Sequence, residues 1–347
     1  MSMIATCELL SPPANCTFEA NDWQVLAQHW YPVARVQDVE DKPVAAQLLD
    51  VPLVLFRTTA GITIARDICP HRGVPLSMGW VAHDEIVCPY HGLHYGADGR
   101  CSKIPAQPDL TRISPRFTLK TFPVVERFGL VWTSLHSLEP NLPQLPTWDD
   151  PDHQPILPPW VDIAGSSGRQ LEGFIDVAHF AWVHHEAFAD RDNPVVPSYD
   201  TQLTDYGLRT EYWSGVSNYP KALQYLEPEG FRWLRVFDVY PPFSAVLTVH
   251  FPDDGRLCIL NAACPVSARK TRLFVPLTRN FDKTGSVEDV YAFNAQIFAE
   301  DQAIVESQRP EDLPLDPLLE AHFQADRSST AYRRILLNMG LGRQQVG

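Results

Sequence analysis

Two short stretches of the chain hold residue types that can bind metals. In CPHRG, Cys69 stands two residues before His71; in CPYHG, Cys88 stands three before His91, with sixteen residues between His71 and Cys88. Thiols and imidazoles at this spacing read as metal ligands, and two arrangements compete for them, a Cys2His2 zinc site and an iron–sulfur cluster. A zinc finger usually presents its cysteines as one pair and its histidines as another. Here each pair is mixed, which suits a two-iron cluster in which one iron takes both cysteines and the other both histidines. Neutral imidazoles in place of two thiolates raise the reduction potential. The glycine after each pair suits a loop whose backbone N–H groups must come close to bridging sulfides. His83 and His94 lie nearby without a partner cysteine and read as surface or packing histidines.

A second group lies in LEGFIDVAHFAWVHHEAF, residues 171–188. On a helix Asp176 and His179 share a face. His184 lies five positions after His179, about 140° around an ideal helix, so both imidazoles reach one metal only if the helix bends or widens there, as at a π-bulge. Spacing does not choose between His184 and His185. Two histidines and a carboxylate would make the facial triad of a non-haem Fe(II) site, which leaves positions open for dioxygen and solvent. The carboxylate candidate is Asp301, in FAEDQAIVESQ. Ile297 and Phe298 precede it by one turn and Ile304 and Val305 follow it by one turn, so it falls on the apolar stripe of its helix, where an unpaired carboxylate is costly. Glu300 and Glu306 fall nearer the polar edge.

The elements that must position these residues can be read coarsely. The first half consists of short strands and tight turns: 51–57 and 62–68 are β-rich runs joined by Thr-Thr-Ala-Gly, 97–99 is a turn, and 129–135 a last strand. Residues 140–160 carry seven prolines, read as extended and irregular, and mark the domain boundary. Beyond it, a helix-like stretch around 172–188 precedes strand runs at 208–213, 231–240, 244–251, 256–263 and 271–278. A long helix follows over 286–308, with Ser286 and Asp289 resembling a capping box. The expectation is an α+β chain. An all-β domain at 1–139 and a linker at 140–159 lead to a domain at 160–347 with an antiparallel sheet, helices on one face and a long C-terminal helix.

Composition limits the function. The chain has 347 residues and a formal net charge of −14, which argues against nucleic acid as a partner. Its longest apolar runs are strand-sized, so no membrane span is expected. The first basic residue is Arg35, so neither a secretory signal nor a transit peptide is expected and a cytoplasmic location follows by default. Seven cysteines, an odd number, make a disulfide framework a poor reading. Cys7, Cys16, Cys101, Cys258 and Cys264 have no patterned neighbour and read as small hydrophobes or surface thiols. No G-x-G-x-x-G follows a strand, so a flavin or nicotinamide reductase must be another protein.

The first stretch resembles the Rieske [2Fe–2S] motif C-x-H-x16-C-x2-H. Together with D-x-x-H-x4-H in the second half, it makes the chain similar over nearly its whole length to the α (terminal oxygenase) subunits of the Rieske non-haem iron oxygenases. The resemblance implies a β-rich Rieske domain followed by a helix-grip (START-like) catalytic domain. Cys69, His71, Cys88 and His91 become the cluster ligands. His179, His184 (rather than His185) and Asp301 become the ligands of mononuclear iron, and Asp176 becomes the bridge that carries electrons from His91 of a neighbouring subunit. It further implies a homotrimer, O2 as co-substrate, a small-molecule substrate, and NAD(P)H electrons arriving through a separate reductase or ferredoxin. Two positions depart from the family pattern: Leu93 stands where an aromatic often follows the second His-Gly, and Gly173 where an Asn often precedes the bridging Asp.

FAEDQAIVESQRP and ADRSSTAYRR are similar to the homotrimeric hydroxylases and demethylases, including caffeine N-demethylases, and CPHRGVPLSMGWV and IDVAHF to saxitoxin-type hydroxylases. Monooxygenation follows, as hydroxylation or N- or O-demethylation of a small aromatic or nitrogen-heterocyclic compound. Ring cis-dihydroxylation is the second reading; a Rieske electron carrier or a ligand-binding helix-grip protein would be of another class. Substrate-pocket residues are expected from the strands and from the long helix near Asp301. Phe231, Trp233, Asn261 and Phe298 fit core and pocket equally.

Overall fold

The structure is a computed structural model and describes residues 11–137 and 139–342; Cys7 lies outside them. The chain divides into two compact units, Met1–Asn141 and Leu142–Gly347.

The first unit begins with a short helix α1 (Ala20–Leu26) and continues as β1 (Tyr31–Arg35), β2 (Val44–Leu48), β3 (Val51–Thr58), β4 (Gly61–Arg66), β5 (Trp80–Ala82), β6 (Glu85–Val87), β7 (His94–Tyr95), β8 (Cys101–Lys103), β9 (Thr121–Phe122), β10 (Val125–Arg127) and β11 (Leu130–Thr133). Among the described residues these form three antiparallel sheets, ordered β1-β11-β10, β2-β3-β4-β9 and β5-β6-β7-β8. β3 is apolar in alternate and adjacent positions because it is covered on both sides: Leu53, Val54, Leu55 and Phe56 are all fully buried. It turns into β4 through Thr59 and Ala60, with Gly61 at φ +117°, a backbone angle that suits glycine. Phe56, Leu76, Ile86 and Tyr95 make a core into which Cys69 and Cys88 also point.

The second unit contains β12 (Gln154–Ile156), β13 (Val161–Ile163), α2 (Ser167–Ile175), α3 (Phe180–Val183), β14 (Asp200–Leu203), β15 (Leu208–Ser214), β16 (Trp233–Tyr240), β17 (Ser244–His250), β18 (Arg256–Ser267), β19 (Lys270–Phe274), β20 (Leu277–Arg279), α4 (Val287–Val305) and α5 (Arg327–Asn338). Its sheet runs β12-β20-β18-β17-β16-β15-β14, with β19 also on β18 and β13 on β19, all antiparallel. The proline-rich stretch expected to be irregular thus contributes a strand. β12 lies at the sheet edge, where Pro155 costs no ladder bond. The single run expected at 271–278 is two strands, since Pro276 has no N–H to continue the ladder, although its carbonyl still accepts from Leu260 N at 2.9 Å.

One face of this sheet carries the helices. Residues paired across antiparallel strands share a face, so Leu208, Val239, Ala245 and Asn261 form one row, and Phe237 and Arg235 continue it along β16. Phe237 meets Phe174 of α2 edge-on at 6.0 Å, and the Arg235 guanidinium stands 5.3 Å from the Phe180 ring of α3. α2 is held down by charge as well as by apolar contact. Arg333 of α5 donates to both oxygens of Glu172 at 2.6 and 2.7 Å and to Glu320 at 2.6 Å, while Arg169 reaches Glu320 at 2.7 Å. Each buried charge in this group has an opposite partner, without which its burial would be prohibitive.

Candidate metal centres

The two cysteine–histidine loops are built alike. In the first, between β4 and β5, Cys69 N donates to Val74 O and Gly73 N to Cys69 O, both at 2.9 Å. In the second, between β6 and β7, Cys88 N donates to Leu93 O at 2.9 Å and Gly92 N to Cys88 O at 3.0 Å. Gly73 and Gly92 take φ +72° and +66°, the left-handed turn that closes each loop. Leu93, where the family pattern favours an aromatic, is 2% exposed and packs in the core beside Cys88.

Both cysteines are buried. The two imidazoles lie at the surface, with their Nδ1 atoms 3.2 Å apart. Burial and the nearby Cys69 push the Cys88 thiol above its ordinary value, so two thiolates side by side need a cation. The Tyr95 hydroxyl, fully buried, lies 3.3 Å from Cys69 Sγ. Two buried cysteines and two imidazoles at the surface, one of each in either loop, fit the donor set of a histidine-ligated [2Fe–2S] cluster. His94, by contrast, turns to Glu85 at 3.1 Å.

In the second unit the expectation of one bent helix over 172–188 is corrected. α2 starts earlier, capped by Ser166 Oγ accepting from Arg169 N, and stops at Ile175. Asp176 is extended (φ −75°, ψ 134°), and its own Oδ1 accepts from Ala178 N at 2.8 Å. That local bond competes with the helical one and ends the helix. His179 then caps the single turn of α3 and His184 closes it. The break does what the π-bulge was expected to do. His179 Nε2 and His184 Nε2 face each other at 3.1 Å, and Asp301 Oδ1 lies 3.1 Å from His184 Nε2 and 3.6 Å from His179 Nε2. These three residues each offer a donor atom within 4.8 Å of the others. His185 turns away, to Trp182 O and to Glu186, both at 3.0 Å.

A carboxylate stands behind each imidazole. Asp176 Oδ2 lies 3.3 Å from His179 Nδ1, and Glu300 Oε2 2.7 Å from His184 Nδ1. Burial would raise the Asp176 carboxyl, but His179 and the Ala178 N–H hold it below its ordinary value. Burial lowers the His184 imidazole, and the hydrogen bonds and charges of Asp301 and Glu300 outweigh it, so the net shift is upward. Glu300 corrects the reading of α4. It was placed near the polar edge, yet its side chain is 19% exposed against 31% for Asp301. Ile304, assigned to the apolar stripe, is 48% exposed, and the buried residues of α4 are Phe298 and Val305. Nothing in the apolar stripe of α4 singles out Glu300; its adjacency to Asp301 is the only signal in the sequence.

Asp176 and His179 open onto a cleft of about 490 Å³ that also takes in Trp182, Val196 and Phe323. Phe231 and Trp233 belong to an aromatic cluster with Tyr219 and Phe251, and Trp233 Nε1 donates to Glu227 Oε1 at 3.0 Å. No helix among the described residues is long and apolar enough to cross a membrane.

Known proteins resemble the chain over most of its length. The Rieske [2Fe-2S] domain family matches residues 29–123, and the vanillate O-demethylase oxygenase C-terminal domain family matches residues 164–341. Methylxanthine N1-demethylase NdmA of Pseudomonas putida is 30% identical over 91% of this chain and 90% of its own length. The vanillate O-demethylase oxygenase subunit of a Pseudomonas strain is 24% identical over 81% and 85%. The structure of NdmA with caffeine superposes with a TM-score of 0.81 at 27% identity, covering 91% of this chain and 92% of that one. Dicamba monooxygenase, at 20% identity and a TM-score of 0.75 over 90% of this chain and 97% of that one, shares the fold. The chain therefore belongs to the Rieske non-haem iron oxygenases, as a terminal oxygenase that works with a [2Fe–2S] cluster, mononuclear iron, O2 and electrons from a separate reductase.

Proposed function

We propose that the chain removes a methyl group oxidatively from a small, methylated nitrogen heterocycle. One oxygen atom of O2 enters the methyl C–H bond, the other leaves as water with two electrons and two protons, and the hydroxymethyl product falls apart to N–H and formaldehyde. The observation that carries the reading is the convergence of His179, His184 and Asp301 with a carboxylate behind each imidazole. The choice of demethylation rests on the likeness to methylxanthine demethylases.

In this reading Cys69, Cys88, His71 and His91 hold the cluster and His179, His184 and Asp301 hold iron. The iron supplies a site for dioxygen and the cluster single electrons. The chain's own residues do the rest. Asp176 and Glu300 fix the two imidazoles with Nε2 toward the metal, so the ring orientation costs nothing at the moment of binding. The N-terminal unit is the Rieske domain and the C-terminal unit the catalytic domain. The chain assembles as a homotrimer in which His91 of one copy delivers electrons through Asp176 of the next; the exposed position of His91 and the cleft over Asp176 support this.

The test is made on protein purified without oxygen. About three irons and two acid-labile sulfides per chain, with formaldehyde released from caffeine or theobromine by an NADH-fed reductase, are expected. Two irons per chain that added Fe(II) does not raise to three would end the oxygenase reading and leave an electron carrier.

A further inference from the structure

Asn261 lies in the middle of β18 and is fully buried, yet neither its Nδ2 nor its Oδ1 has a hydrogen-bond partner among the described residues. In the other residues with buried, unpaired side-chain atoms, one atom is affected; here the whole amide is. A native fold satisfies buried polar groups almost without exception, and a side chain that stays unsatisfied calls for a reason outside the fold. Packing gives none. A leucine would fill the same space with no desolvation penalty.

The register says where the amide points. Asn261 pairs with Ala245, Ala245 with Val239 and Val239 with Leu208, which puts Asn261 on the face that carries Phe237 and Arg235. That face packs against α2 and α3 through Phe174 and Phe180. It is thus the face beneath the helices that end in Asp176, His179 and His184. The neighbours of Asn261 on this face, Ala245 across the ladder and Ala263 two residues on, are methyl-sized and fully buried. The deep cation on the same face, Arg235, is already spent: it donates to Ser214 Oγ and to the carbonyls of Val216 and Ser217.

We propose that Asn261 is a specificity-determining residue, and that its amide pairs with a neutral ring substrate through a carbonyl oxygen or ring nitrogen and an adjacent N–H or polarised C–H. An amide presents one donor group and one acceptor. A carboxylate substrate would satisfy the NH2 and set its charge against Oδ1. The site therefore selects uncharged, carbonyl-bearing heterocycles over aromatic acids. This rests on the oxygenase reading and sharpens its substrate class.

The experiment uses the reduced holoenzyme under argon, with calorimetric binding of 1,3-dimethyluracil (a neutral methylated cyclic urea) and of 3-methoxybenzoate (an anionic methyl ether). Wild type is expected to bind the first and not the second. Asn261→Leu and Asn261→Ala should each weaken binding of 1,3-dimethyluracil by about tenfold or more, the loss of two hydrogen bonds to a desolvated ligand. The Leu variant should melt no lower than wild type. Wild type that takes up neither probe or prefers the anion overturns the proposal. So do variants that bind as tightly as wild type, or that both melt well below it, which would make the amide structural. Iron is counted on the same samples. With three irons per chain, a failed binding result removes the Asn261 proposal alone; with two, the oxygenase reading fails and this proposal with it.

Discussion

Glu300 Oε2 stands 2.7 Å from Nδ1 of His184, on the ring edge opposite the nitrogen that meets Asp301. Two adjacent residues of α4 therefore hold one histidine from both sides. Asp176 does for His179 what Glu300 does for His184. If Glu300 orients the ligand, Glu300→Ala should lower Fe(II) affinity by about 10–100-fold, with Glu300→Gln milder because its carbonyl still accepts from Nδ1–H. Iron titration of the apo-mononuclear protein checks this, and acid-labile sulfide should stay at the wild-type level.

Asp176→Asn keeps the shape of the side chain and removes its charge beside His179. Electron delivery should slow by about tenfold or more while both metal sites load. The measurement is single-turnover oxidation of the reduced cluster by stopped flow with substrate and O2. An unchanged rate would remove Asp176 from the relay.

The Tyr95 hydroxyl lies against Cys69 Sγ, and burial pushes its pKa far above the ordinary value, so it remains a donor. With Cys69 as the proposed cluster ligand, a donor to its sulfur stabilises the more negative, reduced cluster. Tyr95→Phe should therefore lower the midpoint potential by about 40 mV, roughly 1 kcal/mol for a one-electron couple. Protein-film voltammetry reads it directly. A potential that rises or stays put would show that the hydroxyl does not act on the cluster.

Glu320 joins Arg169 and Arg333. Burial raises its carboxyl, but the two guanidiniums outweigh burial and hold it below its ordinary value of 4.5. Its stabilising contribution is complete above that ordinary value and is lost as the pH falls through the lower folded value. Glu320→Gln should cost about 1–2 kcal/mol at pH 7, because two buried cations lose a counter-charge. The gap to wild type should close in acid below the folded value. Urea unfolding at a series of pH values tests it; a gap independent of pH would assign the loss to packing.

The parts of the molecule that could be read from sequence are those where a local pattern carries the information. Mixed Cys–His pairs, the Thr-Thr-Ala-Gly hairpin and the Ser286 cap depend on neighbours in the chain, and the strands at 208–213 and 244–251 appear within a residue or so as β15 and β17. What could not be read depends on competition between local and distant bonds. Asp176 ends α2 by bonding its own neighbour, which helical periodicity does not register. The choice between His184 and His185 is made by the direction in which the α3 turn closes. Glu300 reads from sequence as lying nearer the polar edge because its partner is 116 residues away. The salt-bridged α5 had no strong apolar stripe to announce it, since it is anchored by Tyr332, Arg333 and Leu336 among polar neighbours.

The span between His184 and α4 has a further meaning in terms of chain statistics. Of the nineteen residues of α4, Phe298 and Val305 are the buried ones, so apolar contact alone holds the helix weakly. An ion shared by His179, His184 and Asp301 would act as a removable cross-link, closing a loop of more than a hundred residues. A clasp of that length takes on the order of 4 kcal/mol of chain entropy out of the unfolded ensemble. Iron would then be a fastener as well as a reagent, and amide exchange along α4 would report its loading.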